Sequence, residues 1–204
     1  MRLIAQGDVN GAINSKKSMV MAKVSTVDRR ILKSKEAIKN AFIQLLSEKS
    51  FDEITMQDLS DRANVGRRTI YHHYVDKYDL LDQLIEEHIG ELRKLCAVGS
   101  DLSFAEGNSL WFDYFERHYS FFSAMLSSKG APFFRSRFHD FVIEELESEA
   151  DAAAGRNAGL SKEVVLQFFG AAVVGIVESY FKEEIPGSSQ SIAEQVGLLL
   201  DRNL

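Results

Sequence analysis

Apolar residues recur at helical spacing along most of the chain. Ile31, Ile38, Phe42, Leu45 and Leu46 form one face of a helix over about 29–47, with Lys33, Lys35 and Lys39 lying largely elsewhere. The run from Ser47 to Glu53 breaks that period and reads as a turn, anchored to a core by Phe51 and Ile54. Thr55 then reads as an N-cap, with Asp58 three residues on, close to a capping box. A short helix over Met56–Ala63 follows. Asn64 suits the left-handed conformation that ends a helix. Gly66 caps acceptably, and a third helix covers Arg67–Tyr74.

The same periodicity continues into a longer body. A fourth helix opens near Asp76 and runs to Cys96, with Leu80, Leu81, Leu84, Ile85, His88 and Leu92 as its inner stripe. His88 there reads as a satisfied core histidine. Ala97–Gly107 reads as a boundary loop. Further helices are expected over Ser109–His118, Tyr119–Ser127, Phe133–Ala154, Ser161–Glu184 and Ser189–Asn203, separated by Gly, Pro and Ser clusters. The pattern predicts an all-α protein of about nine helices: an N-terminal three-helix head with a helix-turn-helix, and a helical body. The expected divisions are a tail at 1–24, the head at 25–76, a connecting helix at 77–98 and the body at 99–204.

Composition adds exclusions. In 204 residues there are 2 Pro and 1 Cys, so helix is favoured and neither an internal disulfide nor a Cys-rich zinc site can form. No His-x-x-x-His or Glu-x-x-His pair occurs, and no Gly-rich phosphate loop, so neither a metal site nor catalytic residues are assigned and no cofactor is expected. Cys96 has no activating neighbour in sequence and reads as a buried thiol. The most apolar stretch, Val164–Val177, is interrupted by Gln167 and too short to read as a membrane span. A cytoplasmic protein without membrane contact is the expectation. The net charge of -6 argues against nucleic acid, but its distribution does not: residues 1–22 and 23–80 each carry +2, and residues 81–204 carry -10. A weakly basic front on an acidic body fits a DNA-binding head with a separate regulatory body, though +2 is small enough to arise by chance.

Two short helices joined by a tight turn form a helix-turn-helix, whose second helix enters the major groove. With Leu59, Ala63, Val65, Ile70 and Tyr74 turned inward, Arg67, Arg68, Thr69, Tyr71 and His72 are left outside. Arg is the side chain best suited to guanine O6 and N7, so Arg67 and Arg68 are the base-reading candidates. Phe51 through Leu59, Asn64-Val65-Gly66-Arg67-Arg68-Thr69-Ile70-Tyr71-His72-His73-Tyr74 and Lys77-Tyr78-Asp79-Leu80-Leu81 together resemble the TetR/AcrR family of one-component repressors. The resemblance covers about residues 29–90. It implies contacts to bases or phosphates from Gln57, and to DNA, mostly its backbone, from Thr55, Thr69, Tyr71, His72, His73 and Lys77. Asn64 replaces the family's usual Gly, and Gly66 its usual Ser. A phosphate contact at Gly66 would therefore use backbone N–H. Helix N-termini near Thr55 and Lys77 would favour phosphate. For His73 a structural role weighs as much as a DNA contact, and Tyr74 reads as core.

The resemblance also implies that the fourth helix transmits a ligand signal and that the last two long helices pair with their symmetry mates. A homodimer would place two heads on successive major grooves of a palindromic double-stranded operator. The body is rich in aromatic residues, more often core than pocket, but able to leave a cavity for a small apolar or aromatic effector. Trp111, Phe115, Met125, Phe138 and Phe169 are the candidate lining, with His118 and His139 as polar contacts. The expected function is a ligand-responsive DNA-binding regulator, foremost a repressor. The alternative is a DNA-binding dimer without a small-molecule effector, whose body docks a protein partner.

Overall fold

The computed structural model describes residues 29–99, 102–126, 132–149 and 154–204, and the expected tail at 1–24 lies outside them. All regular structure among the described residues is helical. Helix α1 (residues 29–48) carries Ile38, Phe42, Leu45 and Leu46 on its buried face, as its periodicity predicts. A 3-10 turn at Phe51–Glu53 leads to α2 (Met56–Ala63) and α3 (Arg67–His73). Tyr74 ends α3 in extended backbone and is buried.

The turn between α2 and α3 follows from two residues. Asn64 adopts φ 52°, ψ 45°, the left-handed region it tolerates better than most side chains. Ser60 donates its hydroxyl to the Val65 carbonyl at 2.7 Å, closing the corner from inside. Leu59 and Ile70 are fully buried, with Ala63 and Val65 packed at the edge of the same cluster.

Helix α4 (Lys77–Gly99) ends three residues beyond the expected Cys96. Helix α5 (Phe104–Arg117) begins five residues earlier than expected, so the boundary loop shrinks to a few residues. The missed signal is a capping box: Ser103 Oγ accepts from the Glu106 amide, and the Glu106 carboxylate accepts from the Ser103 amide at 3.0 Å. Helices α6 (Tyr119–Leu126), α7 (Pro132–Glu149), α8 (Lys162–Phe181) and α9 (Ser189–Asn203) complete the body.

Two close approaches set the body's packing. Gly197 on α9 lies directly against α5. A Cβ there would stand 2.1 Å from Ala105 Cα and 2.4 Å from Ala105 N. Gly170 on α8 lets the Ile143 side chain of α7 come within 2.8 Å of where a Cβ would be. Between these helices the centre is filled by rings. Phe115, Phe122, Phe134 and Phe138 are all fully buried, with Phe115 and Phe122 4.7 Å apart edge to face. Salt bridges clasp α4 along its middle. Lys39 of α1 pairs with Glu87, Arg137 of α7 pairs with Asp82 and Glu86, and Arg93 pairs with Glu144 of α7 at 2.7 Å.

Candidate nucleic-acid interface and effector cavities

The outer surface of the head gathers exposed polar side chains from both short helices. Thr55 and Gln57 are exposed at the start of α2. Arg67, Arg68, Tyr71 and His72 are exposed on α3, and Thr69 is half-buried between them. The guanidinium groups of Arg67 and Arg68 make no ion pair or hydrogen bond with the described residues. Arg62 nearby is instead held by a two-pronged contact to Glu48, at 2.8 and 2.6 Å. That leaves the two α3 arginines as uncommitted donors on the helix suited to the major groove. Tyr71 is 55% exposed, with its ring outward as expected.

The start of α2 is stiffened by charge. The Asp58 carboxylate accepts from the Thr55 amide at 2.7 Å and pairs with Lys49 at 2.8 Å. The Lys49 bond, then those from Thr55, hold the Asp58 carboxyl well below the usual carboxylate range. Gln57 is tied along the helix to Asp61 at 2.8 Å. Gly66 is exposed and caps α3 without a side-chain bond.

Two expected DNA contacts face elsewhere. His73 is half-buried, with Nε2 2.7 Å from the Ser34 hydroxyl of α1. Burial, then the neighbouring His72 and Lys35 charges, lower its pKa. It is a link between α3 and α1 rather than part of the outer face. Lys77 turns into the head, where Nζ donates to the carbonyls of Phe51, Asp52 and Ile54. At the N-terminus of α4, Asp76 Oδ1 accepts from the Tyr78 and Asp79 amides, both at 2.9 Å.

The seven expected effector contacts do not line one cavity. Phe115, Met125 and Phe138 are packed solid in the ring-filled centre. His139 faces Gly170 of α8, and half-buried Phe169 stands edge-on to the exposed Phe168 at 5.2 Å. Trp111 borders a cavity of about 360 Å³ at the far end of α4, together with Leu95, Cys96, Asn108, Glu145 and Leu200. Cys96 is half-buried rather than buried, and its Sγ accepts from Trp111 Nε1 at 3.2 Å. His118 borders a second cavity, of about 370 Å³, with Glu87, His88, Glu91 and Tyr114. His88 is buried as expected, bonded through Nδ1 to the Tyr114 hydroxyl at 2.8 Å and stacked on Phe121. Burial pushes its pKa down to about 4. The first cavity's walls come from α4, α5, α7 and α9, so no local spacing marks them. Asn108, a buried amide on an apolar face of α5, is the one trace visible in sequence.

Comparison with known proteins settles the lineage of both halves. The family model for bacterial regulatory proteins of the tetR family matches residues 38–84. A model for transcriptional regulator C-terminal regions matches residues 105–202. The chain belongs to the TetR family. Both matched models describe regulatory proteins, the second a transcriptional regulator. It is 35% identical over 71 residues to the HTH-type transcriptional regulator YxbF of Bacillus subtilis (strain 168). That stretch is 34% of this chain and spans only 19% of the relative's length. A TetR transcriptional regulator from Streptococcus agalactiae 2603V superposes with a TM-score of 0.69 at 26% identity, covering 87% of this chain and 98% of that one. The dihydroxyacetone kinase operon activator DhaS superposes with a TM-score of 0.59 at 18% identity, over 82% and 93% of the two chains, a likeness of fold.

Proposed function

We propose that this regulator is a cytoplasmic homodimeric repressor, released from a palindromic operator by a small apolar or aromatic effector. The carrying observation is the pair of exposed, uncommitted guanidinium groups of Arg67 and Arg68 on α3. They would read guanines, with Thr55, Gln57, Gly66, Thr69, Tyr71 and His72 fixing the register on the backbone. The head would comprise residues 25–76, joined through 77–98 to the body at 99–204.

A dimer is supported by an apolar stripe on α8. Val164 is 65% and Phe168 67% exposed, and Ala171 and Ala172 follow on the same face, with exposed Leu198 and Leu199 on α9. By length and composition α8 could cross a membrane, but its other flank, Val165, Val173, Val174 and Val177, is core. A second copy is the natural cover for the exposed flank. The cavity beside Trp111 is the stronger effector candidate, since Leu95, Val142, Leu146 and Leu200 give it apolar walls. The ring-filled centre favours a second reading, in which the body docks a protein partner instead.

The test is selection from randomised 30-base-pair duplex DNA, followed by gel shifts at moderate salt and a reporter assay. A folded dimer that enriches an inverted repeat, and represses a promoter carrying it, is the expected result. Failure to enrich any sequence would refute the DNA-reading assignment. Activation from the same site would refute repression alone.

A further inference from the structure

We infer that Lys77 is a positioning residue for DNA binding: it fixes the start of α2 from the first turn of α4, instead of neutralising a phosphate. The inference rests on the reading that α2 and α3 bind DNA. An ammonium group has three N–H donors. All three are used inside the head, on the carbonyls of Phe51 at 2.9 Å, Asp52 at 2.9 Å and Ile54 at 3.0 Å. The charge also sits 4.8 Å from the centre of the Phe51 ring and 5.6 Å from that of Tyr78. Both rings add cation–π attraction.

The location gives these bonds their consequence. The three carbonyls belong to the segment that delivers the chain to Thr55, the N-cap of α2. The Ile54 carbonyl is part of the peptide bond to Thr55 itself. Phe51 and Ile54 are buried, so this segment cannot slide without repacking the head. Helix α4 therefore grips the backbone at the point that sets where Thr55 and Gln57 stand. A phosphate could recruit Lys77 only by stripping three charge-assisted bonds from it. A planar guanidinium would not fit the same cage of carbonyls, which suits a compact point charge.

Salt dependence separates the two roles, because each phosphate neutralised contributes about 0.9 to the slope of log K against log salt. The probe is the duplex enriched from randomised DNA, with Lys77→Met and Lys77→Arg compared with wild type at a temperature where all are folded. For Lys77→Met we expect affinity to fall about tenfold or more with the salt slope unchanged, and Lys77→Arg not to restore it. A slope shallower by about one phosphate, with binding restored by Arg, would overturn the inference. So would a variant that is less heat-stable but binds with wild-type affinity, which marks a merely structural role. Should Lys77→Met fail to fold, the wild-type chain labelled with 15N at lysine decides. Its Lys77 ammonium signal should hold its position when the duplex is added, and a shift comparable to that of a phosphate-bound lysine would refute the assignment. If no duplex is enriched, DNA reading itself fails, an outcome distinct from either result for Lys77.

Discussion

Gly197→Ala adds one methyl group where α9 meets α5. The added carbon would lie 2.1 Å from Ala105 Cα, 2.4 Å from Ala105 N and 2.8 Å from the Phe104 carbonyl carbon. All three are backbone atoms, so no rotamer change relieves the clash. Non-bonded carbons rest at about 3.5–4 Å, so the helices would have to separate by more than 1 Å. Overpacking of this kind costs about 1–3 kcal/mol, and the rigid neighbour places Gly197 at the upper end. Replacing Gly by Ala within a helix returns about 1 kcal/mol of propensity. The net expectation is a loss of about 2 kcal/mol, or roughly 4–8 °C in melting temperature for a chain of this size. Thermal unfolding followed by circular dichroism measures it directly. The same substitution at Gly90 of α4, where an added carbon meets nothing within 4 Å, is the control and should be neutral or stabilising. A Gly197→Ala melting temperature equal to or above wild type would refute the close-packing argument.

Three other outcomes follow from the geometry. Alanine at both Arg67 and Arg68 should abolish sequence selectivity while leaving the fold intact; retained discrimination between selected and scrambled duplexes in a gel shift would contradict their role. Phe168→Asp, on the exposed flank of α8, should convert a dimer to monomers in sedimentation, and an unchanged dimer would show that this face is not the contact. His88 should make stability fall on mild acidification. Its folded pKa, about 4, lies below the unfolded value of about 6.5, so its contribution is complete above about pH 6.5 and is lost as the pH falls through the folded value. The full effect is on the order of 3 kcal/mol, with His73 and His118, also lowered by burial, acting in the same sense. His88→Gln should flatten the decline in unfolding free energy between pH 6.5 and 4.5; an identical slope would remove His88 as its source.

The head was readable from sequence because its determinants are local. Thr55 and Asp58 cap within one turn, Asn64 forms the corner, and the apolar spacing of α1 and α2 states which faces turn inward. The outward set from Arg67 to His72 follows from the same phase. His73 and Lys77 departed from expectation for a different reason. Their partners, Ser34 and the carbonyls of Phe51, Asp52 and Ile54, lie 23 to 39 positions away, and no local pattern reports them. The body divides along the same line. Its helices are periodic and were found, although the Ser103–Glu106 box moved the start of α5. Its cavities depend on which rings interlock. Phe115 and Phe138 meet edge to face at 6.0 Å in the filled centre, while Trp111 is left at the rim. Such pairings come from tertiary packing, which hydropathy does not encode.

The clasp on α4 spans most of that helix. Asp82, Glu86 and Glu87 are held near its middle, and Arg93, bonded to Glu144 of α7, carries the hold to within two residues of Leu95 at the cavity. At 1.5 Å per residue the anchored stretch from Asp82 to Arg93 is about 17 Å of rod. A guest that displaced its cavity end would therefore have to carry the rod as one piece together with α7, and the grip of Lys77 would hand that movement to the first turn of α2.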